Sequence, residues 1–85
     1  MISYDYIIQD PSGIHARPAT QIAFFGMNQQ DKITIIHDGQ MIDGSNVIEV
    51  MNLHAQCGDT LTFQIEGEQE EKTLEALREV LDSLE

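Results

Sequence analysis

Apolar side chains recur at every second position from residue 2 to residue 8, which is the period of a strand with one buried side. The predicted core side of this first strand consists of Ile2, Tyr4, Tyr6 and Ile8. A β-branched run predicts a second strand at Lys32–His37, and an Asp38-Gly39 turn joins it to a third strand at Gln40–Asp43. Alternation at residues 60–65 predicts the fourth strand.

A helical pattern follows the first strand. Pro18 fixes where this helix begins, because proline has no N–H and fits only the first helical turn, where backbone donors have no intrahelical partner. The helix is therefore predicted to run from Ala16 to about Met27. Its predicted core side has the spacing i, i+3, i+4, i+7 and consists of Ala19, Ile22, Ala23 and Gly26.

Two further helices are predicted. Asn46 and Glu49 match the capping-box pattern, and they stand at the start of a short helix over residues 47–53. After Gly67, acidic residues 68–71 suit the first turn of a helix that runs to the C-terminus. Its core spacing is carried by Leu74, Leu77, Leu81 and Leu84.

The predicted order is strand, helix, two strands, short helix, strand and helix. The 85 residues contain no internal repeat or linker, so one domain over residues 1–85 is expected. Because the strands and helices are amphipathic, the fold class is α/β in the α+β sense, with one antiparallel sheet covered by helices on one face.

Charge and cysteine content exclude several functions. The formal net charge is −11, with only four Lys and Arg residues, so nucleic acid and anionic membranes are poor partners. No apolar run approaches the roughly 20 residues that span a bilayer, and the start of the chain lacks signal-peptide features, so a cytoplasmic protein is expected. Cys57 is the single cysteine, which leaves no internal disulfide and no four-cysteine metal site.

The candidate site is the segment Gly13-Ile14-His15-Ala16-Arg17-Pro18-Ala19. If the helix begins at Ala16, His15 occupies the N-cap position beside the free amides of Ala16 and Arg17, at the positive end of the helix dipole. Arg17, one of the few cations, lies two residues away. An imidazole, a fixed cation and free amides together predict a phosphate site.

A second apolar stripe lies beside this site. Thr20, Phe24 and Met27 share a helical spacing that is offset from the core side of the first helix. The short helix has more apolar residues than two turns can bury, so Val47, Ile48 and Met51 are expected at the surface. Either these residues widen the buried face or they form a contact surface, which would need a partner.

The site segment, continued to Thr20, and the order of elements resemble the phosphocarrier protein HPr family of the phosphoenolpyruvate-dependent sugar phosphotransferase system. Val50-Met51-Asn52-Leu53 resembles a second family stretch, and the resemblance covers essentially the whole chain. It implies an open-faced β-sandwich, a four-stranded antiparallel sheet under three helices.

The resemblance also implies a role in sugar transport as a carrier, not an enzyme. His15 would accept a phosphoryl group on Nδ1 from phosphorylated enzyme I and pass it to a sugar-specific enzyme IIA, with Arg17 stabilising the phosphate. No cofactor or metal is expected, because phosphoryl transfer needs mainly positioning and charge stabilisation. A monomer is expected, with partners docking on Thr20, Phe24, Met27, Val47, Ile48 and Met51.

The sequence departs from the family in two respects. A regulatory kinase of the Gram-positive branch phosphorylates a serine at the start of the short helix, but here Asn46 occupies that position and Ser45 precedes it. Basic residues that often surround the docking face are absent, and Ser45, Phe24, Met27 and Glu49 stand in their places. Serine regulation and electrostatic steering are therefore both in question.

Two alternatives stay open. His37 and His54 could join His15 in a zinc site, although the three histidines lack ligand spacing. The chain could also be an HPr-like regulatory module that binds an enzyme or transcription factor through the same face, and the altered docking surface keeps that interpretation open.

Overall fold

The computed structural model describes residues 1–84. Its elements are β1 (Ile2–Ile7), α1 (Ala16–Met27), β2 (Lys32–His37), β3 (Gln40–Asp43), α2 (Val47–Met51), β4 (Thr60–Glu66) and α3 (Glu70–Asp82). The predicted order of elements and the open-faced α+β fold are confirmed. Within this part of the chain no helix combines the length and apolar character needed to cross a membrane.

The four strands form one antiparallel sheet in the order β1-β4-β2-β3. Phe63 of β4 pairs with Tyr4 on one side and Ile35 on the other, so the central strand carries the middle of the core. Alternate residues of β4 are buried under the helices, as the period of two predicts, and in β1 the same alternation separates buried and half-buried residues from exposed ones. The fully buried large side chains are Phe63, Ile8, Ile22, Ile35, Leu61, Ile65, Leu77, Leu81 and Val50.

Helix α1 begins and ends at the predicted residues, and its predicted core side is buried. Near its C-terminal end Gly26 lies against the backbone of the segment that leads into α2. A Cβ at Gly26 would come within 2.8 Å of the Gly44 carbonyl oxygen, which is closer than atoms pack. The absence of a side chain at Gly26 therefore lets α1 and α2 lie side by side.

The predictions for the short helix and the strand ends were wrong by one or two residues. Helix α2 ends at Met51 instead of Leu53, because the chain turns through His54, whose φ is +53°. Strand β1 ends at Ile7, and Ile8 is buried beyond the ladder, while β4 continues through Glu66.

Helix α3 begins inside the acidic run and ends before the C-terminus. Buried Asp31 accepts hydrogen bonds from the backbone N–H of Gln69 at 3.3 Å and from the Thr73 hydroxyl at 2.9 Å, so its carboxylate caps the helix start. The prediction of a helix reaching the C-terminus was wrong, since the helix ends at Asp82. Glu85 lies outside the described residues.

Candidate functional site

The turn between β1 and α1 is held by its own backbone and by the loop after α2. Asp10 accepts the Ser12 N–H on Oδ1 at 2.8 Å and the Gly13 N–H on its carbonyl at 2.8 Å. The Ile14 N–H donates to the Ala55 carbonyl at 3.0 Å. A Cβ at Gly13 would collide with that same carbonyl oxygen, so glycine allows the close approach. The turn therefore reaches His15 in a fixed conformation.

His15 is the N-cap residue of α1, as predicted. Its backbone is extended, with φ −95° and ψ −168°, and its carbonyl accepts the Ala19 N–H at 3.0 Å. Its side chain makes no capping hydrogen bond and is 44% exposed. The amides of Ala16 and Arg17 have no acceptor among residues 1–84, and Pro18 has no N–H to satisfy. An anion beside the ring would therefore meet free donors and the positive end of the helix dipole.

Arg17 adds the positive charge that the sequence predicted at this site. Its side chain is exposed and has no ion pair within the described part of the chain. It lines a shallow surface cleft, together with Gln9, Asp10, Pro11 and Leu84. The guanidinium is therefore available to an incoming anion.

Asp10 is a site residue that the sequence analysis missed. Its Oδ2 lies 3.2 Å from Nε2 of His15. The Ser12 N–H lowers the pKa of Asp10 most, the hydrogen bond with His15 lowers it next, and the charges of His15 and Arg17 add smaller effects. An Asp two residues before a turn serine is the signal of an Asx turn, and that signal alone identifies the backbone contact but not the contact with His15.

The apolar residues predicted beside the site differ in exposure. Phe24 and Met27 are each 55% exposed, Ile48 is 65% exposed and Met51 is 36% exposed, whereas Val47 is half-buried. The two helices that carry them pack against each other. The prediction of surface positions is therefore confirmed for Ile48 and Met51 and is only partly correct for Val47.

Thr20 is half-buried, and its hydroxyl donates to the Ala16 carbonyl at 2.7 Å within α1. That bond occupies the donor hydrogen, although the oxygen can still accept.

At the start of α2, Asn46 is the N-cap residue, and its side-chain oxygen accepts the Glu49 N–H at 3.1 Å. This half of the predicted capping box is confirmed. The Ser45 hydroxyl donates to Oδ1 of Asp43 at 2.7 Å, and this bond is the main cause that lowers the pKa of Asp43. Ser45 is thus tied to a carboxylate.

Within residues 1–84, neither of the other two histidines is hydrogen-bonded to the His15 side chain. His37 Nε2 lies 2.9 Å from Oδ2 of Asp59, and its side chain is 13% exposed. His54 is exposed in the turn after α2. Across residues 1–84, no three His, Cys, Asp or Glu side chains are grouped so that they could hold a metal ion.

Comparison with known proteins identifies the family. A family model described as "PTS HPr component phosphorylation site" matches residues 2–83. This chain belongs to the PTS-HPr family. As a member, it is a phosphoryl carrier of the phosphotransferase system and not a catalytic enzyme, as the resemblance implied.

Individual relatives agree with this assignment. The chain is 31% identical to the phosphocarrier protein HPr of Buchnera aphidicola over 78 residues, and this aligned segment covers 92% of each protein. It is 31% identical to a multiphosphoryl transfer protein of Xanthomonas campestris over 81 residues, and this aligned segment covers 95% of this chain and 10% of that protein. A solved histidine-containing phosphocarrier protein of Mycoplasma superimposes with a TM-score of 0.93 at 25% identity, over 98% of this chain and 94% of the other.

Proposed function

We propose that His15 accepts a phosphoryl group on Nδ1 from phosphorylated enzyme I and passes it to an enzyme IIA in the cytoplasm. The observation that carries the proposal is the setting of His15, a half-exposed imidazole at the N-cap of α1 beside two free amides and an unpaired guanidinium. Each of these groups favours an anion at the same point.

The transfer forms a nitrogen–phosphorus bond on His15 as the bond between phosphorus and the donor breaks. The lone pair of Nδ1 forms the new bond to phosphorus, and the bond to the donor breaks with its electron pair staying on the donor. The amides of Ala16 and Arg17 and the Arg17 guanidinium then offset the charge of the phosphoryl oxygens. Positioning and charge stabilisation are sufficient for this chemistry.

The exposed apolar residues beside the site are proposed to dock both partners. Phe24, Met27 and Ile48 are more than half exposed. They lie on α1, whose first turn follows His15, and on α2, which packs against α1. Exposed apolar side chains on two packed helices that also carry a reactive group favour a protein partner. The docking face is completed by Thr20, Val47 and Met51.

The test is the intact mass after incubation with phosphoenolpyruvate and the cognate enzyme I, followed by brief acid treatment. We expect a gain of one phosphoryl group that acid removes, because a nitrogen–phosphorus bond is acid-labile. The gain should be absent in His15→Ala and present in His54→Ala, which removes another exposed histidine. A gain that persists in His15→Ala, or no gain in the native protein, would contradict the proposal.

A second candidate function is a regulatory module that binds an enzyme or transcription factor through the same face. The observation that favours it is the character of that face, which carries Phe24, Met27, Ile48 and Glu49 and has no basic residue besides Arg17 on α1 or α2. Tight binding of a partner that does not depend on His15, with no phosphoryl transfer, would favour this function over the carrier.

Control by a serine kinase is not expected. An amide at Asn46 accepts no phosphate, and a phosphate on Ser45 would lose the hydrogen bond to Asp43 and lie beside its carboxylate. Efficient phosphate incorporation at Ser45 by the regulatory kinase with ATP would overturn this expectation.

A further inference from the structure

We infer that Asp10 is a positioning residue that holds the His15 ring in the tautomer with its proton on Nε2 and the lone pair on Nδ1. The consequence of this inference for phosphoryl transfer rests on the proposed function. The tautomer itself can be measured without any partner. It starts from the 3.2 Å contact between Asp10 Oδ2 and His15 Nε2.

An ionised carboxylate can only accept hydrogen bonds. In the neutral imidazole one nitrogen donates and the other accepts, so a ring bonded to Asp10 through Nε2 must carry its proton there. Nδ1 is then left with the lone pair that attacks phosphorus. The contact with Asp10 thus selects which of the two nitrogens is the nucleophile.

Asp10 is itself held in place. Its Oδ1 accepts the Ser12 N–H at 2.8 Å and its carbonyl accepts the Gly13 N–H at 2.8 Å. Because Oδ1 is engaged by the backbone, Oδ2 is the oxygen that faces the ring. The Ile14 bond to Ala55 anchors the end of the same turn.

The same contact stabilises the phosphorylated state. When Nδ1 bonds to phosphorus and Nε2 keeps its proton, the ring carries a positive charge, which an adjacent carboxylate stabilises. When the phosphoryl group leaves, its bonding pair returns to Nδ1. Neither direction requires a proton to move. The two ring nitrogens point in different directions, so the contact of Asp10 with Nε2 leaves Nδ1 open to the phosphoryl group.

Asp10→Asn is the sharpest test because it replaces one hydrogen-bond acceptor, a carboxylate oxygen, with a donor, the amide NH₂ group. The amide oxygen can keep the Ser12 bond, which directs the NH₂ group at Nε2. An NH₂ donor requires an unprotonated Nε2, so the proton is expected to move to Nδ1. Asp10→Ala removes the constraint without reversing it. Asp59→Asn makes the same substitution in the His37 pair, away from His15, and is the control.

The primary measurement is the tautomer of His15 in the free protein, from ¹⁵N chemical shifts of the ring at a pH where histidines are neutral. We expect the Nε2–H form to predominate in the native protein and in Asp59→Asn, the Nδ1–H form to gain in Asp10→Asn, and a mixture in Asp10→Ala. The same Nε2–H population in Asp10→Asn as in the native protein would overturn the inference.

The second measurement is the rate of phosphoryl transfer from enzyme I. We expect transfer to Asp10→Asn to be slower than transfer to the native protein by roughly tenfold or more, and transfer to Asp10→Ala to have an intermediate rate. An unchanged thermal midpoint of unfolding would show that each variant keeps its fold. A shifted tautomer with an unchanged rate would remove Asp10 from the mechanism. If the native protein accepts no phosphoryl group at all, the proposed function fails, while the ring spectra still decide the role of Asp10.

Discussion

Two histidine–aspartate pairs lie within residues 1–84, and the contact between the two side chains is similar in each. In each pair Nε2 of the histidine meets an aspartate Oδ2, at 3.2 Å for His15 and 2.9 Å for His37. A backbone N–H also holds each aspartate, from Ser12 to Oδ1 of Asp10 and from Gln56 to Oδ2 of Asp59, which is the oxygen that also meets His37.

The surroundings of the two pairs differ. The His15 ring is 44% exposed at the start of a helix with Arg17 beside it, whereas the His37 ring is 13% exposed at the end of a strand. A histidine–aspartate pair can orient an imidazole in either setting, but only the first setting offers donors to a phosphate. The difference indicates that the helix start, more than the pair, distinguishes the proposed phosphoryl acceptor.

The largest expected effect separates the two histidines. His15→Ala should abolish phosphoryl incorporation and leave the free energy of unfolding within about 0.5 kcal/mol of the native value, because the ring is exposed. His37→Ala should keep incorporation but lose about 1 kcal/mol, because its ring is mostly buried. Intact mass and urea unfolding of both variants measure this. Phosphoryl incorporation at His37 in the His15→Ala protein would contradict the distinction between the two pairs.

The second effect tests the cation. Arg17→Ala should slow transfer roughly tenfold to a hundredfold, since a donor to the phosphoryl oxygens is lost, without unfolding the domain. Lys32→Ala makes the same change in net charge at the start of β2 and is the control. Rates from single-turnover transfer decide the outcome, and equal rates in the two variants would mean that only net charge matters.

A smaller effect is expected at the docking face. Ile48→Glu should weaken binding of enzyme I by about tenfold, because a charge would be buried against the partner. Met41→Glu changes a residue of similar exposure, 63% against 65%, on β3, where the neighbouring Ile42 points into the core. Titration calorimetry of both variants compares the two faces, and equal losses of affinity would contradict the assignment of the docking face.

The smallest effect concerns acid pH. The Gln56 N–H lowers the pKa of Asp59 most, and the hydrogen bond with His37 lowers it next. A carboxyl whose pKa in the folded state lies below its ordinary value of 3.8 stabilises the protein fully above that value, and the contribution is lost as the pH falls through the folded pKa.

The stability difference between the native protein and Asp59→Asn should therefore shrink below about pH 4. His37→Ala, which leaves the Gln56 bond, should keep part of this pH dependence. Urea unfolding between pH 7 and pH 3 provides the measurement. A difference that stays constant over this range would exclude a stabilising role for the ionised Asp59.

Local signals were sufficient for most of the fold. The alternation of β1, the position of Pro18 and the capping pattern at Asn46 each act within a few residues, and they predicted the elements with errors only at the ends. The strand order β1-β4-β2-β3 depends on pairings between distant segments, for which one sequence carries no signal.

The candidate site divides in the same way. His15, Arg17 and the free amides follow from one short segment, because a helix start is a local structure. The contact between Asp10 and His15 requires the turn to fold back, and that depends on Ala55, about 40 residues away along the chain. His37 and Asp59 are brought together only when β2 and β4 pair.

The contact of Gly26 with the Gly44 backbone bears on how this carrier could change partners. Phe24, Met27 and Ile48 project from the surface, so each can be replaced without disturbing the core. A side chain at Gly26 would press on backbone and move α2 away from α1. Evolution can therefore alter the chemistry of the proposed docking face one residue at a time, whereas the spacing of α1 and α2 is inherited as a fixed dimension.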